Sequence, residues 1–242
     1  MASVTAQPQP QAHTAERLLE VRDLGHVYST GDQIVVALRG VEFNLGIGER
    51  LAIVGRSGSG KTTLLKMLAA HETPIRGAVV VAGRDVVAMS RRQRETYRRR
   101  TVGYVWQEPE AGLLPGLTTL QNVLAPMLAG PGDRGDQLRT ALTILSIMKL
   151  DSRLDDAPPE LTADETQRLA LSVALANGPR LLLADELTAG LEWPTAYELI
   201  RDLDAALSRR GTAAVIATND TRLEAYVDRS ILIRDGTVRK SP

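Results

Sequence analysis

One nine-residue stretch, Gly55-Arg56-Ser57-Gly58-Ser59-Gly60-Lys61-Thr62-Thr63, constrains this chain more than any other. It fits G-x-x-x-x-G-K-[ST], the phosphate-binding P-loop. The apolar run Leu51–Val54 precedes it and Thr63–Leu68 follows, which predicts a strand, a turn and a helix in the order such a loop needs. Flexible glycines let backbone N–H groups turn inward, at a helix N-terminus that already favours anions. Lys61 adds a point charge at the β- and γ-phosphates, and the Thr62 hydroxyl is placed to reach Mg²⁺.

A chain of 242 residues with 43% hydrophobic content can build one large α/β domain or two small ones. Lys and Arg number 29 and so do Asp and Glu, a balance that asks for neither nucleic acid nor an acidic partner. Cysteine is absent, which excludes a disulfide scaffold, a thiolate zinc site and a cysteine nucleophile. No apolar run reaches the roughly 20 residues that span a bilayer. The N-terminus lacks the charged-then-apolar pattern of a secretory signal. The expectation is a cytoplasmic protein that meets a membrane only through a partner.

Residues 1–17 are polar and rich in Pro and Gln, and read as a disordered tail. Strand character follows at Leu18–Leu24, Val35–Leu38, Val41–Leu45 and Ala78–Gly83. Strands crowded ahead of the P-loop suggest an antiparallel edge sheet beside a parallel core. Arg91–Arg100 is a basic helical stretch; with Tyr97 its only aromatic, it reads as a solvated face and not as a nucleic-acid patch. His71 reads as a solvated helix-end residue. Thr101–Trp106 is a strand, and residues from about 107 to 178 are mostly helical, including Leu138–Leu150. Then come a strand at Arg180–Ala184, a helix at Thr195–Arg209, a strand at Thr212–Ala217 and a hairpin turning at Asp235-Gly236.

Leu181-Leu182-Leu183-Ala184-Asp185-Glu186 is an apolar strand ending in two carboxylates. A buried strand that delivers Asp185 to its tip supplies what a P-loop protein needs to hold Mg²⁺. Glu186 beside it can polarise a water for attack on the γ-phosphate, as a general base.

With both motifs in hand, the chain resembles the ATP-binding subunit of ABC transporters from Leu18 to Val238, most nearly the group serving lipoprotein release, macrolide export and cell-division permeases. The resemblance implies a P-loop NTPase (RecA-like) α/β core with an antiparallel β subdomain and an inserted α-helical subdomain at about 107–178, all within an ATP-binding domain over 18–242. It makes Tyr28 the aromatic that stacks on adenine. Residues Arg56, Ser57, Gly58, Ser59, Gly60, Lys61, Thr62 and Thr63 would hold the nucleotide. Gln107 matches the glutamine that touches Mg²⁺ and the attacking water, so that Thr62, Gln107 and Asp185 form the metal set and Glu186, Lys61 and Gln107 the catalytic set. Leu113-Leu114-Pro115-Gly116-Leu117-Thr118 resembles the group's Leu-Leu-Pro-x-Leu-Thr segment, reached here after a longer loop.

Three departures stand out. The family's Leu-Ser-Gly-Gly-Glu-Gln-Gln-Arg signature, which closes over ATP on the opposite subunit, reads Leu161-Thr162-Ala163-Asp164-Glu165-Thr166-Gln167-Arg168. Asp164 would set a carboxylate where a glycine meets triphosphate, and two unit charges ~6 Å apart repel by roughly 1–3 kcal/mol. Thr162-x-x-Glu165 is also a capping box, so the helix is expected to form regardless. Asn219 stands where the family has a γ-phosphate-sensing histidine; it donates a hydrogen bond but cannot carry a proton's charge. The loop after Glu186 reads Leu187-Thr188-Ala189-Gly190-Leu191-Glu192 against Pro-Thr-Gly-Ala-Leu-Asp.

The resemblance implies ATP and Mg²⁺ as ligands, an integral-membrane permease and a second ATP-binding subunit as partners, no nucleic acid, and a peripheral place on the inner face of the cell membrane. An identical and an orthodox second subunit both fit the chain. The expected function is ATP binding and hydrolysis that drives the permease. The alternative is a nucleotide-binding regulatory half with little hydrolysis of its own. A soluble ABC protein of DNA repair or translation would show a long coiled-coil insertion or tandem ATPase halves, and the sequence has neither.

Overall fold

The structure is a computed structural model and describes residues 17–31, 33–130 and 132–239. The predicted tail lies outside these residues, apart from Arg17. The chain is α/β, as the sequence predicts. Two long strands, β1 (Arg17–Thr30) and β2 (Gln33–Gly46), pair antiparallel, and β1 also pairs with β4 (Arg76–Val81), which pairs with the two-residue β5 (Arg84–Asp85). The sequence splits β2 into Val35–Leu38 and Val41–Leu45. In the structure it runs through, because the register slips by one residue between Leu24↔Val41 and His26↔Leu38, a bulge that Gly40 accommodates at φ 59°.

The second sheet carries the P-loop. Its order is β10 (Thr237–Arg239), β9 (Arg229–Arg234), β3 (Arg50–Val54), β8 (Ala213–Thr218), β7 (Leu181–Asp185), β6 (Val102–Val105). Every pairing from β9 to β6 is parallel; only β10 turns back, through Asp235-Gly236, both at positive φ. A parallel sheet covered on both faces needs strands apolar throughout, and β7 and β8 are buried at every residue. The pleat then sorts side chains by parity. Leu181, Leu183, Val215 and Ile53 enter the core shared with β1, β2, β4, α1 (Lys61–Leu68) and α2 (Arg91–Arg100). Leu182, Ala184, Ala214 and Ile216 enter the core on the other face, with α3 (Thr119–Leu128), α4 (Arg134–Ile147), α5 (Ala163–Leu175) and α6 (Trp193–Ser208).

Helix α2 shows where its arginines go. Arg94 donates to the Met89 and Val87 carbonyls, Arg98 to that of Ala70 and Arg99 to that of Ala129, so three of its cations close carbonyls at the ends of neighbouring segments. Tyr97 is buried and donates to the Leu68 carbonyl at 2.6 Å. His71 is exposed just past α1, yet it packs edge-on to Tyr104 with ring centres 5.4 Å apart and lies 5.1 Å from Trp106.

Candidate nucleotide site

The parallel register brings four strand tips to one edge. Val54 pairs with Thr218, Asp185 with Ala217, and Val105 with Ala184. The P-loop, Asp185-Glu186, Asn219 and Gln107 therefore leave the sheet side by side, at its carboxyl end, where open α/β sheets hold ligands. A cleft of about 300 Å³ opens there. Its floor is Ser57, Gly58 and Gly60–Thr63; its walls are Tyr28 and Val35–Ala37 on one side and Gln107, Glu186, Ala189 and Asn219 on the other.

Gly60 fixes how closely β2 can approach. Its φ is 104°, and a Cβ there would stand 2.5 Å from the Ala37 carbonyl oxygen. Only glycine fits, so the loop can lie directly against β2. Arg56 and Ser59, predicted with the nucleotide ligands, lie outside the cleft lining. They line an adjoining cavity of about 350 Å³ against Leu232–Asp235, which shares Ser57 and Gly58 with the cleft. Arg56 contributes its carbonyl to Lys61, and the buried Ser59 hydroxyl has no hydrogen-bond partner among the described residues.

Lys61 is almost wholly buried. Its ammonium donates to the Gly55 carbonyl at 2.8 Å and the Arg56 carbonyl at 3.2 Å, and pairs with Glu186 Oε1 at 3.1 Å. Three donors meet three acceptors, which is how a buried ammonium is tolerated. Glu186 is non-glycine at φ 49°, with its N–H on the Ala217 carbonyl and its Oε2 accepting the Asn219 backbone N–H at 3.0 Å. Asn219 thus serves Glu186 through its backbone, a contact that does not depend on its side chain.

Asp185 is 1% exposed. Burial pushes its carboxyl above the ordinary range, the Thr62 hydroxyl opposes that, and Glu186 alongside adds to it. Its Oδ1 is buried with no hydrogen-bond partner among the described residues. An orphaned carboxylate oxygen beside a threonine hydroxyl suits Mg²⁺, which keeps several waters and takes one or two protein oxygens plus phosphate. Among the described residues no three His, Cys, Asp or Glu side chains cluster to form an all-protein metal cage.

Tyr28 lines the cleft with its hydroxyl donating to Glu72 and in reach of Thr63 Oγ1 at 3.3 Å. His26 meets its ring edge-on at 4.7 Å. The sequence pointed to neither Glu72 nor the apolar wall Val35–Ala37: the register of β1 on β2 sets Val35 opposite Tyr28, and the segment after α1 brings Glu72 to its hydroxyl.

The signature segment sits apart from the cleft. Thr162 caps α5, accepting the Glu165 N–H while Glu165 accepts the Thr162 N–H at 2.9 Å, so the capping box forms. Ala163 lines a different, largely apolar groove. Asp164 differs from the expectation in where its charge goes. It turns back along α5 and takes Arg168 Nε at 2.9 Å, so the repulsion calculated for a bare carboxylate is offset within its own helix. The alternative of a regulatory half loses that part of its support.

Residues 38–189 match the family described as ABC transporter. The chain is 40% identical over 220 residues to the lipoprotein-releasing system ATP-binding protein LolD of Pseudomonas fluorescens, covering 90% of this chain and 96% of that protein. Its identity to the LolD of Geobacter metallireducens is 37%, covering 91% and 97%. The dimeric ATP-binding cassette MJ0796, solved with ADP and Pi in a post-hydrolysis state, superposes with a TM-score of 0.84 at 29% identity, covering 92% of this chain and 97% of that one.

Proposed function

This chain belongs to the ABC transporter family as an ATP-binding subunit, and we propose that it hydrolyses ATP at the cleft above the P-loop, paired with a second such subunit, to drive an integral-membrane permease. The observation that supports it most is the meeting of Lys61, Glu186 and the orphaned Asp185 Oδ1 at one sheet edge. Tyr28 offers a ring face to adenine. Backbone N–H groups of Ser57, Gly58 and Gly60–Thr63 and the Lys61 ammonium take the phosphates. Thr62, Gln107 and Asp185 would hold Mg²⁺, which when bound neutralises charge on the β- and γ-phosphates.

Lys61 and Glu186 occupy one another in the structure. A γ-phosphate brought to Lys61 takes over as its anion and leaves Glu186 free to accept a proton. The water oxygen then attacks phosphorus, the bond to the β–γ bridging oxygen breaks with its electron pair leaving on ADP, and the water's proton passes to Glu186. Gln107 orients that water. Residues 18–242 are read as one ATP-binding domain with a helical subdomain over about 107–178. Thr162–Glu165 are read as the face this subunit turns to its neighbour's ATP. No helix among the described residues is long and apolar enough to cross a membrane. Attachment to the inner face of the cell membrane is therefore assigned to the permease.

The test is phosphate release by the purified full chain, with calorimetry for binding. Glu186→Gln is expected to keep nucleotide affinity and to lower turnover by at least ~100-fold, in keeping with loss of a general base. Turnover equal to that of the parent chain refutes the assignment of Glu186, and no heat with ATP and magnesium refutes the site.

A further inference from the structure

We propose that Trp193 and Arg222 are positioning residues that fix Glu186 by clasping together the two segments leading away from it. The inference rests on the reading of Glu186 as the base. Glu186 is a non-glycine residue in the left-handed region, a conformation that persists only where the surroundings over-determine it. Its side chain is held on one side by Lys61 and on the other by the Asn219 N–H. That N–H belongs to the Thr218–Asn219 peptide, whose carbonyl accepts the Gly55 N–H at 3.2 Å on the β8 side, while on the other side the chain from Asn219 to Arg222 has no buried residue.

What holds this exposed segment is specific. Asp220 N–H bonds the Thr218 hydroxyl at 2.9 Å, and Asp220 caps the short turn Thr221–Tyr226 by accepting the Arg222 N–H. The same carboxylate grips the Arg222 guanidinium at two points, Nε at 2.8 Å and Nη2 at 2.7 Å. So oriented, the guanidinium lies over the Trp193 ring, 4.3 Å from its centre. Indole is the best ring partner for a cation, and the carboxylate fixes the guanidinium over it. Tyr226, at the far end of the turn, meets Trp193 at 6.0 Å and Tyr197 at 5.5 Å. Buried Leu223 anchors the turn between them.

Trp193 is the first residue of α6, and two tight turns connect it to Glu186: Ala189 N–H to the Glu186 carbonyl and Leu191 N–H to that of Thr188. The two exits from the site, 187–192 and 219–226, therefore close on each other through one indole ring. Opening that clasp removes the support beyond Asn219, leaves the Gly55 bond to the Thr218 carbonyl as the remaining hold on that peptide, and so loosens the Asn219 N–H on Glu186. The P-loop, Tyr28 and Asp185 lie outside the loop so formed, so nucleotide affinity should not follow.

The experiment uses the full chain and two readouts: ATP turnover, and amide hydrogen exchange at Asn219 without nucleotide. Trp193→Ala is expected to lower kcat and to raise Asn219 exchange by about tenfold each, from loss of one cation–π and one aromatic contact. KM should stay within about twofold. Trp193→Phe, which keeps a ring face, should restore both, and Arg222→Gln should shift both by about fivefold. Unchanged Asn219 exchange, a KM change without a kcat change, or failure of Trp193→Phe to rescue overturns the clasp. Should Trp193→Ala not fold, the exposed Arg222→Gln decides alone. If Glu186→Gln retains turnover the base assignment fails, while the exchange readout still decides whether the clasp holds Asn219.

Discussion

Tyr28 shows how one side chain is bound from both ends. Its hydroxyl is tied to Glu72 and Thr63, which fixes the ring's tilt at the mouth of the cleft, while the ring is only half buried. If the ring face receives adenine, the hydroxyl matters to orientation and the ring to affinity. Tyr28→Phe should therefore bind ATP within about twofold of the parent chain, while Tyr28→Ala should bind about tenfold or more weakly, the usual worth of stacking a base on an aromatic ring. Calorimetric titration separates them; equal affinity for Tyr28→Ala would place the base elsewhere. At this scale the sequence was informative about groups and blind to their partners. The meeting of Lys61, Thr62, Asp185 and Glu186 at one sheet edge was legible because each sits at a fixed offset from a strand end. The Lys61–Glu186 pair was not, since it joins residues 125 positions apart and only strand order brings β3 and β7 within reach of each other. The charge of Asp164 was likewise legible, and its destination on Arg168 was not.

Among the elements, α5 and α6 are joined by a buried ionic knot that no motif announces. Arg168, 3% exposed, reaches Asp164, the Met148 carbonyl and Asp202 Oδ2, and Lys149 meets the same Asp202 oxygen at 3.1 Å. Burial pushes the Asp202 carboxyl up, but the hydrogen bonds from Arg168 and Lys149 outweigh it and hold the group below its ordinary value. A depressed carboxylate contributes stability above its unfolded value and loses it as pH falls through the folded one. Asp202→Asn should thus cost about 2–3 kcal/mol near neutral pH, at or just below the usual loss for breaking a buried pair, because Asp164 and Met148 still hold Arg168. The deficit should shrink as the parent chain is acidified below its unfolded carboxylate value of about 3.9. Denaturant melts at neutral and acid pH check this, and a deficit independent of pH would show that packing and not charge is at stake. Helices and strands themselves were readable to within a few residues. The unbroken apolar runs of β7 and β8 and the capping box of α5 are local signals. The bulge that makes β2 one strand and the two-residue β5 are set by pairing partners, so their sequences carry too little signal alone.

Across the whole molecule, the segment after Gln107 and the segment before α5 face each other over an apolar groove of about 510 Å³, lined by Leu113, Pro115, Pro158, Pro159, Leu161 and Ala163. One wall follows directly from the residue assigned to the water and the metal; the other leads into the signature helix. An occupant of this groove touches both halves of the proposed ATP machinery at once, so the cytoplasmic helix of the proposed permease is read as docking here. Leu114, between two lining residues, is half exposed, and its backbone is pinned by Asn122, which accepts its N–H at 2.8 Å and donates to its carbonyl at 3.1 Å. A new side chain at 114 can therefore be introduced without moving the loop. Leu114→Glu removes an apolar contact worth about 1.5–3 kcal/mol if the residue is covered in the complex, and sets a charge against whatever covers it. Recovery of the chain in detergent-solubilised membranes should fall about tenfold or more, while phosphate release by the purified subunit stays within about twofold of the parent chain. Undiminished membrane recovery would move the docking surface elsewhere, and a parallel loss of basal turnover would mean that residue 114 acts on the cleft and not on a partner.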